Sequence, residues 1–244
     1  MKLIYSLLIA LISVSGLGFG QSVASAQVSI TEVSSSNFFG EDWFELTNFG
    51  DSIVDLDGFY WDDDGPNGND GAEFGQFLIN PGESLIVLQG SNADDAVADT
   101  FRGLYGLDAS VQILTEDDFT GPDTFSGLSG NNGDEITLFD TDPNADGADA
   151  TVIDFVDFGA ATEGVSFDFT SGDAALSVAG VNGAIAVSIE VSTEDEAGNI
   201  IVDTFFDIGS PGVVGSATTS VPEPGSIALL SVLGALAGVK RRRS

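Results

Sequence analysis

The apolar runs of this chain are short, and this feature constrains its fold most. After Gln27 they are interrupted every few residues by Gly, Asn or Asp, and no stretch keeps a 3.6-residue period. Phe155 and Asp157 alternate with Val156 and Phe158, as in a strand with one buried face. We predict strands at residues 28–33, 43–48, 76–79, 84–88, 135–140, 151–158, 165–169, 184–192 and 200–206. This pattern favours an all-β sandwich of two sheets.

Charge is distributed very unevenly along the chain. Of the 39 acidic residues, all but Glu223 lie at residues 27–220, where Arg102 is the only cation, so this segment has a formal charge of −37. Nucleic acid is excluded as a partner because phosphate binding depends on Lys and Arg. The hydrophobic content of 43% still suffices for a core, so the acidity predicts a solvated surface and not disorder.

The chain contains no His and no Cys. It therefore has no Ser-His or Cys-His nucleophile, no disulfide, and no imidazole or thiolate ligand for zinc, copper or haem. Carboxylate, amide and hydroxyl oxygens remain, and these suit hard cations. We predict no certain cofactor and one candidate, Ca²⁺.

Residues 1–26 have the three parts of a secretory signal peptide. Lys2 supplies the positive charge, residues 3–14 form a short apolar core, and the small residues Ala24 and Ala26 mark a cleavage site after Ala26. The alternative is an N-terminal membrane anchor, but the apolar core is short for a bilayer span. We expect export followed by cleavage.

Residues 221–244 also have three parts. Pro222, Glu223 and Pro224 precede an apolar run at residues 225–239, and Lys240 to Arg243 follow it. This order resembles a PEP-CTERM sorting signal of exported bacterial proteins. The resemblance implies an exosortase-type processing protease as a partner. It also implies removal of the tail near the Pro-Glu-Pro motif and delivery of the body to the cell surface or extracellular matrix.

The length of the apolar run suits a transient anchor. As a helix, its 15 residues reach about 22 Å, short of the ~30 Å hydrocarbon core. The basic residues would stay on the cytoplasmic side and hold the body outside. The alternative is an ordinary single-span anchor that the chain retains.

Residues 27–214 resemble a lamin-tail domain, and residues 215–220 form a linker to the tail. The resemblance is carried by residues 28–33 (VSITEV), 42–48 (DWFELTN) and 50–59 (GDSIVDLDGF), followed in the expected order by 79–88, 133–138, 152–158 and 209–212. It implies an immunoglobulin-like β-sandwich, which in bacteria is a common non-catalytic module of exported proteins. Residues 61–74, 90–131 and 169–183 exceed the compact pattern and are expected to be insertions.

Aromatic residues in this frame have two expected roles. Trp43, Phe44 and Leu46 are expected to pack between the sheets. Trp61 stands between Tyr60 and three aspartates, so it either stacks on a sugar ring or anchors a partly buried loop.

An acidic loop at residues 140–149 is a candidate calcium site. Asp142, Asn144 and Asp146 place oxygens at every second position ahead of Gly147, and Asp149 is a fourth candidate ligand. An EF-hand is not supported, because the twelfth position is Ile153 and not Glu. The alternative is a hairpin turn, since Asp, Asn and Gly are ordinary turn residues. Residues 62–71 form a weaker acidic candidate.

No catalytic residue is predicted. A glycosidase would need one protonated and one ionised carboxylate across a cleft, and the abundance of acidic pairs here does not single one out. We therefore predict an exported non-enzymatic module with a structural or adhesive role. Extracellular polysaccharide or surface proteins are candidate partners, and the membrane is contacted only through the C-terminal segment. The alternatives are a calcium-dependent glycan-binding protein and, less favoured, a carboxylate glycosidase.

Overall fold

A computed structural model describes residues 28–38, 41–66, 71–90, 96–120, 127–144, 150–194 and 199–213. The predicted signal peptide, the Pro-Glu-Pro motif and the basic tail lie outside the described residues. Within them the strands are β1 Val28–Ser34, β2 Trp43–Asn48, β3 Val54–Asp55, β4 Tyr60–Asp62, β5 Ala72–Phe74, β6 Leu78–Ile79, β7 Ser84–Leu88, β8 Gln112–Leu114, β9 Phe119–Thr120, β10 Asp134–Phe139, β11 Val152–Phe158, β12 Phe167–Asp168, β13 Ala175–Leu176, β14 Ile185–Glu194 and β15 Ile200–Gly209. The helices are α1, Val97–Tyr105, and a 3-10 turn, Glu116–Asp118.

Two sheets form the body of the molecule. The larger has six strands in the order β13-β12-β1-β2-β7-β8, antiparallel except for the parallel pair β7 and β8. The smaller has five strands in the order β11-β10-β4-β5-β9. Their facing side chains form one core that includes Phe44, Leu46, Trp61, Ile136 and Phe158. The structure is thus mostly β-sheet with one α-helix in the described part of the chain, as in a β-sandwich.

Helix α1 covers the other face of the six-stranded sheet. Alternation along β2 turns Phe44 toward the inter-sheet core and Trp43 toward the helix. The Trp43 ring meets Phe101 and Tyr105 edge-on, with ring centroids 5.6 and 6.2 Å apart. The helix ends at Gly106, whose φ of 65° lets its N–H bond back to the Arg102 carbonyl. This second core buries the outer face of the sheet.

Strands β14 and β15 form a separate two-stranded ribbon. They pair along their whole length, from Ile185 opposite Gly209 to Glu194 opposite Ile200. The base of the ribbon is tied to the body, where Ser166 and Gly164 exchange backbone hydrogen bonds with Ile208. The last residue of β15 and the three that follow it, Gly209–Gly212, cross the outer face of the six-stranded sheet; we call them the closing segment.

Several sequence predictions need correction here. The sequence has no sustained 3.6-residue period, yet one short helix, α1, forms at residues 97–105. Residues 61–74 and 90–131 are not simple insertions: they supply β4, β5, β8 and β9 to the two sheets, as well as α1. Strand β13 lies in the third expected insertion and pairs with β12 at the sheet edge. Across the described residues, no helix is long and apolar enough to cross a membrane.

Candidate functional site

Two buried glutamates face each other on the outer face of the six-stranded sheet. Glu32 in β1 is the register partner of Glu45 in β2, and the side chains are 2% and 1% exposed. The register shifts between Ile30 and Glu32. This irregularity lets Ile30 and Val33 both reach the inter-sheet core while Glu32 stays on the outer face.

Glu32 binds the closing segment directly. Its Oε1 accepts the backbone N–H of Ser210 at 2.8 Å, and its Oε2 accepts the Ser210 hydroxyl at 2.8 Å. The Ser166 hydroxyl, from the start of the β12 region, donates to Oε1 at 2.5 Å. Ser177 adds a longer contact at 3.4 Å. The carboxylate thus joins the first strand to a segment 178 residues later.

Glu45 binds the closing segment at Gly212, two residues after the Ser210 that Glu32 binds. Its Oε2 accepts the N–H of Gly212 at 2.5 Å, and its Oε1 accepts the Thr31 hydroxyl at 2.7 Å. A chain of hydroxyls runs on from there, with Thr31 to Thr47 at 2.9 Å and Thr47 to Ser84 at 2.8 Å. These contacts satisfy a polar cluster that burial would otherwise penalise.

Burial dominates the proton affinity of this pair. It raises the pKa of Glu32 to about 6, against the lowering effect of its Ser166 and Ser210 bonds. It raises the pKa of Glu45 to about 8, and the neighbouring charge of Glu32 adds to the rise. At neutral pH Glu45 therefore keeps its proton, so the two side chains do not oppose two full charges.

The other ionisable groups near the pair are also acidic. Asp168 raises the pKa of Glu32. Burial raises the pKa of Tyr105 in α1, and the charges of Asp207 and Glu32 raise it further. Asp207 is itself buried and accepts the Phe38 N–H at 2.8 Å. Among the residues that the structure describes, hydroxyls and backbone amides, and no cation, bond to these two carboxylates.

Gly209 allows the closing segment to approach this closely. A Cβ at this position would lie 3.1 Å from Oε1 of Glu32 and 3.2 Å from the Trp43 ring. The site as a whole is a covered fastening point between the first two strands and the end of the domain. Its carboxylate oxygens accept bonds from the body itself, so they are not presented to a substrate.

A second group of carboxylates lines an open groove on the five-stranded sheet. Asp63, Asp64, Asp134, Glu135 and Asp157 border a cavity of about 380 Å³. Within the described ranges, no group of three or more carboxylates is placed to hold a metal ion. The groove is therefore an acidic surface and not a formed metal centre.

The family of the chain follows from a match over its first part. The family model described as Lamin Tail Domain matches residues 21–160, which are 140 of the 244 residues. The chain belongs to the lamin tail domain family. Residues 161–213 lie beyond the match, yet β12 pairs with β1, so the lamin tail domain sheet continues into them.

Comparisons of the chain with solved structures and with curated proteins add no functional information. A solved structure of a DUF4876 family protein from Bacteroides thetaiotaomicron VPI-5482 matches at 14% identity, over 82% of this chain and 75% of that chain, with a TM-score of 0.39. A likeness at this level carries no functional conclusion. No curated protein matches the chain.

The aromatic predictions are partly confirmed in the lamin tail domain. Phe44 and Leu46 pack between the sheets, whereas Trp43 packs against α1 on the other face. Trp61 is not in a loop: it lies in β4, is 3% exposed, and its ring centroid is 4.9 Å from that of Phe44. The sugar-stacking interpretation of Trp61 is therefore wrong, because its ring is inside the core.

The calcium loop is only partly described. Asp142 Oδ1 accepts the N–H of Asn144 at 2.7 Å, which is the hydrogen bond of an ordinary Asp turn. Asp146 and Asp149 lie outside the described residues. Calcium binding at residues 140–149 stays a prediction.

Sequence reasoning missed the buried glutamates. Both stand at alternate positions in strands, where a polar residue normally indicates the solvent side. The signal in the sequence was a Thr close to each glutamate, Thr31 next to Glu32 and Thr47 two residues after Glu45. Ser84 joins them only through the pairing of β2 with β7. Such small hydroxyl side chains are suited to satisfying a buried carboxylate.

Proposed function

We propose that this lamin tail domain protein is an exported, non-enzymatic module with a structural or adhesive role at the cell surface or in the extracellular matrix. The observation that carries the proposal is the order of segments. A signal-like N-terminus precedes the β-sandwich, and a Pro-Glu-Pro motif, an apolar run and a basic end follow it. Extracellular polysaccharide or another surface protein is the proposed partner.

The non-enzymatic part of the proposal rests on what the perturbed carboxylates do. Glu32 and Glu45 are covered by the closing segment and accept its amides. Burial also raises the pKa of Asp42 and Asp154, and each accepts a backbone N–H, from Leu128 and Ile30 respectively. A glycosidase needs such carboxylates facing a substrate. Here their observed bonds hold the fold together.

The C-terminal part of the proposal assigns the tail a transient role. The apolar run at residues 225–239 would hold the chain in the membrane while an exosortase-type protease cuts near Pro222, Glu223 and Pro224. The closing segment supports this arrangement, because it fastens the end of the domain before the tail begins. A folded body would then remain intact when the tail is removed.

The test is to replace Pro222, Glu223 and Pro224 together by Ala and to fractionate the cells. We expect a larger form retained in the membrane fraction, whereas the unmodified chain appears as a shorter released form. Thr218→Ala with Thr219→Ala is the matched control, since it changes the neighbouring linker and leaves the motif intact. Equal sizes and equal release for all three chains would contradict the proposal.

A further inference from the structure

The β14–β15 ribbon extends away from the body toward its tip, where Glu194 pairs with Ile200. Near its base, Val187 and Asp207 are buried, and the Phe205 ring lies 4.8 Å from that of Phe38. Farther out, every residue from Ile200 to Thr204 is exposed. Consecutive residues of a strand point to opposite faces. Both faces of β15 are therefore in solvent over this stretch.

The exposed part of β15 is unusually apolar for a solvated strand. Ile200, Val202 and Phe206 share one face and are 65%, 51% and 50% exposed. Ile201, on the other face, is 45% exposed. Among the described strands, only β14 pairs with β15 over Ile200–Thr204, so the other edge of β15 is open there. An open apolar edge is a template for another strand.

The sequence of this edge is complementary to itself. We propose that β15 pairs edge to edge with β15 of a second copy of this chain, antiparallel about a two-fold axis at Asp203. Val202 then faces Thr204 of the second copy and Ile201 faces its Phe205. Phe206 lies outside the contact, because Gly164 of the body is already next to its carbonyl. Each facing pair on either side of the axis joins apolar or β-branched side chains, which favour one another across strands. The same patch serves both copies, as a two-fold contact requires.

Asp203 limits the strength of the contact. On the axis it faces Asp203 of the second copy, and like charges directly opposite one another are destabilising. Charged residues at sheet edges commonly restrain uncontrolled pairing. The shared edge of five residues, from Ile201 to Phe205, is only about 17 Å long. We expect a weak, reversible dimer that forms more readily in high salt, where repulsion between the acidic bodies is screened.

A single introduced cysteine tests the register in the full chain, which has no native Cys. Facing Cα atoms in an antiparallel pair lie about 4.5–5.5 Å apart, which is within disulfide range. We expect Asp203→Cys to form a covalent dimer under mild oxidation, seen by non-reducing electrophoresis. Glu190→Cys is the matched control: it also removes an exposed carboxylate from the ribbon, but it lies in β14, away from the axis. It should yield several-fold less dimer.

A second variant separates the proposed pairing from chance collision. Val202→Asp in the Asp203→Cys background places a charge in the apolar row and should reduce the dimer yield several-fold. A thermal melt of each variant shows that the chain is folded. Equal yields from the two cysteine variants, no cross-link from either, or a yield unaffected by Val202→Asp would each overturn the proposal. The contact depends on the ribbon alone and is independent of how the tail is processed.

Discussion

Facing glutamates in the middle of a sheet would repel if both were charged. Here the repulsion is avoided because Glu45 keeps its proton at neutral pH, while the hydroxyls and amides around Glu32 stabilise its negative charge. The proton on Glu45 is therefore part of the folded structure. Stability must depend on pH wherever the folded and unfolded chains hold different numbers of protons.

Glu45→Gln tests this dependence. The unfolded carboxyl has a pKa near 4.5 and the folded one about 8, so the folded state holds an extra proton between these values. The contribution of Glu45 is thus fully present below about pH 4.5 and is lost as the pH rises to about 8. It falls by about 1.4 kcal/mol per pH unit across that interval. Gln is neutral, and its amide can accept from Gly212 and donate to Thr31.

We therefore expect Glu45→Gln to gain stability relative to the unmodified chain as the pH rises from 5 to 8, as measured by urea unfolding at each pH. Glu190→Gln is the control, because it neutralises an exposed glutamate. It should leave the pH slope of the unmodified chain in place. Parallel curves for Glu45→Gln and the unmodified chain would contradict a buried proton.

Gly133 and Gly58 form a matched pair of glycine positions. Both have positive φ, 85° and 80°, which is unfavourable for any residue with a side chain. A Cβ at Gly133 would also collide with the Phe158 carbonyl, whereas at Gly58 nothing lies within 4 Å. We expect Gly58→Ala to cost about 1 kcal/mol in unfolding free energy, and Gly133→Ala to cost clearly more. Equal losses in thermal or urea unfolding would contradict the close approach of Gly133 to the end of β11.

At the scale of elements, the two sheets are joined by a hydrogen bond to the side chain of Asp154. Asp154 in β11 accepts the N–H of Ile30 in β1 at 2.7 Å, next to the irregularity that separates Ile30 from Glu32. Burial raises the pKa of Asp154, and the bond from Ile30 opposes that rise. A buried backbone N–H in an interrupted ladder needs such a partner.

Asp154→Ala should therefore weaken the sandwich. We expect a loss of about 1–3 kcal/mol in urea unfolding, since a buried donor is left without its charged acceptor. Asp157→Ala is the control from the same strand, because its side chain is exposed. It should change stability by less than about 0.5 kcal/mol. A similar loss from both variants would mean that Asp154 does not bridge the sheets.

Strands were more predictable from the sequence than the helix. The bounds predicted for β2 and β7 are those observed, because turn residues follow β2 at Gly50-Asp51 and precede β7 at Asn80-Pro81-Gly82. Helix α1 has only nine residues and buries only Ala98, Phe101 and Tyr105, so its period was too brief to detect. Strands β3, β6 and β9 have two residues each, and their pairing depends on neighbours and not on local pattern.

The side of the sheet that each residue faces was less predictable. Alternation correctly separated Val156 and Phe158 from Asp157. It could not show that both faces of β2 are buried, since this depends on α1 and the closing segment, which come much later in the chain. Trp43 and Glu45 are buried because α1 and the closing segment cover that face of β2, and the sequence of β2 alone does not show this.

At the scale of the whole molecule, the charge should govern stability. The acidic residues at residues 27–220 are opposed there only by Arg102, which pairs with Asp99 at 3.2 Å and leaves a formal charge of −37. Compact folding brings these like charges together, and salt weakens their repulsion. We expect the thermal midpoint to rise with KCl and to level off as the Debye length falls to about 3 Å near 1 M. A flat or falling midpoint would contradict a charge-limited fold.

The calcium prediction can be checked in the same melt. If Asp142 and Asn144 bind calcium with their neighbours, millimolar CaCl₂ should raise the midpoint more than MgCl₂ at equal ionic strength. Asp142→Asn should remove the difference. Equal midpoints in the two salts would leave residues 140–149 as a solvated turn.

The closing segment also determines how the domain would respond to mechanical force. A pull applied through the residues after Val213 reaches Gly212 and Ser210 first, whose amides are held by Glu45 and Glu32. Those glutamates belong to β2 and β1, which lie in the interior of the six-stranded sheet and not at its edge. Tension on the C-terminal end is thus transmitted directly to two interior strands of the larger sheet, and the domain resists being unravelled from that end.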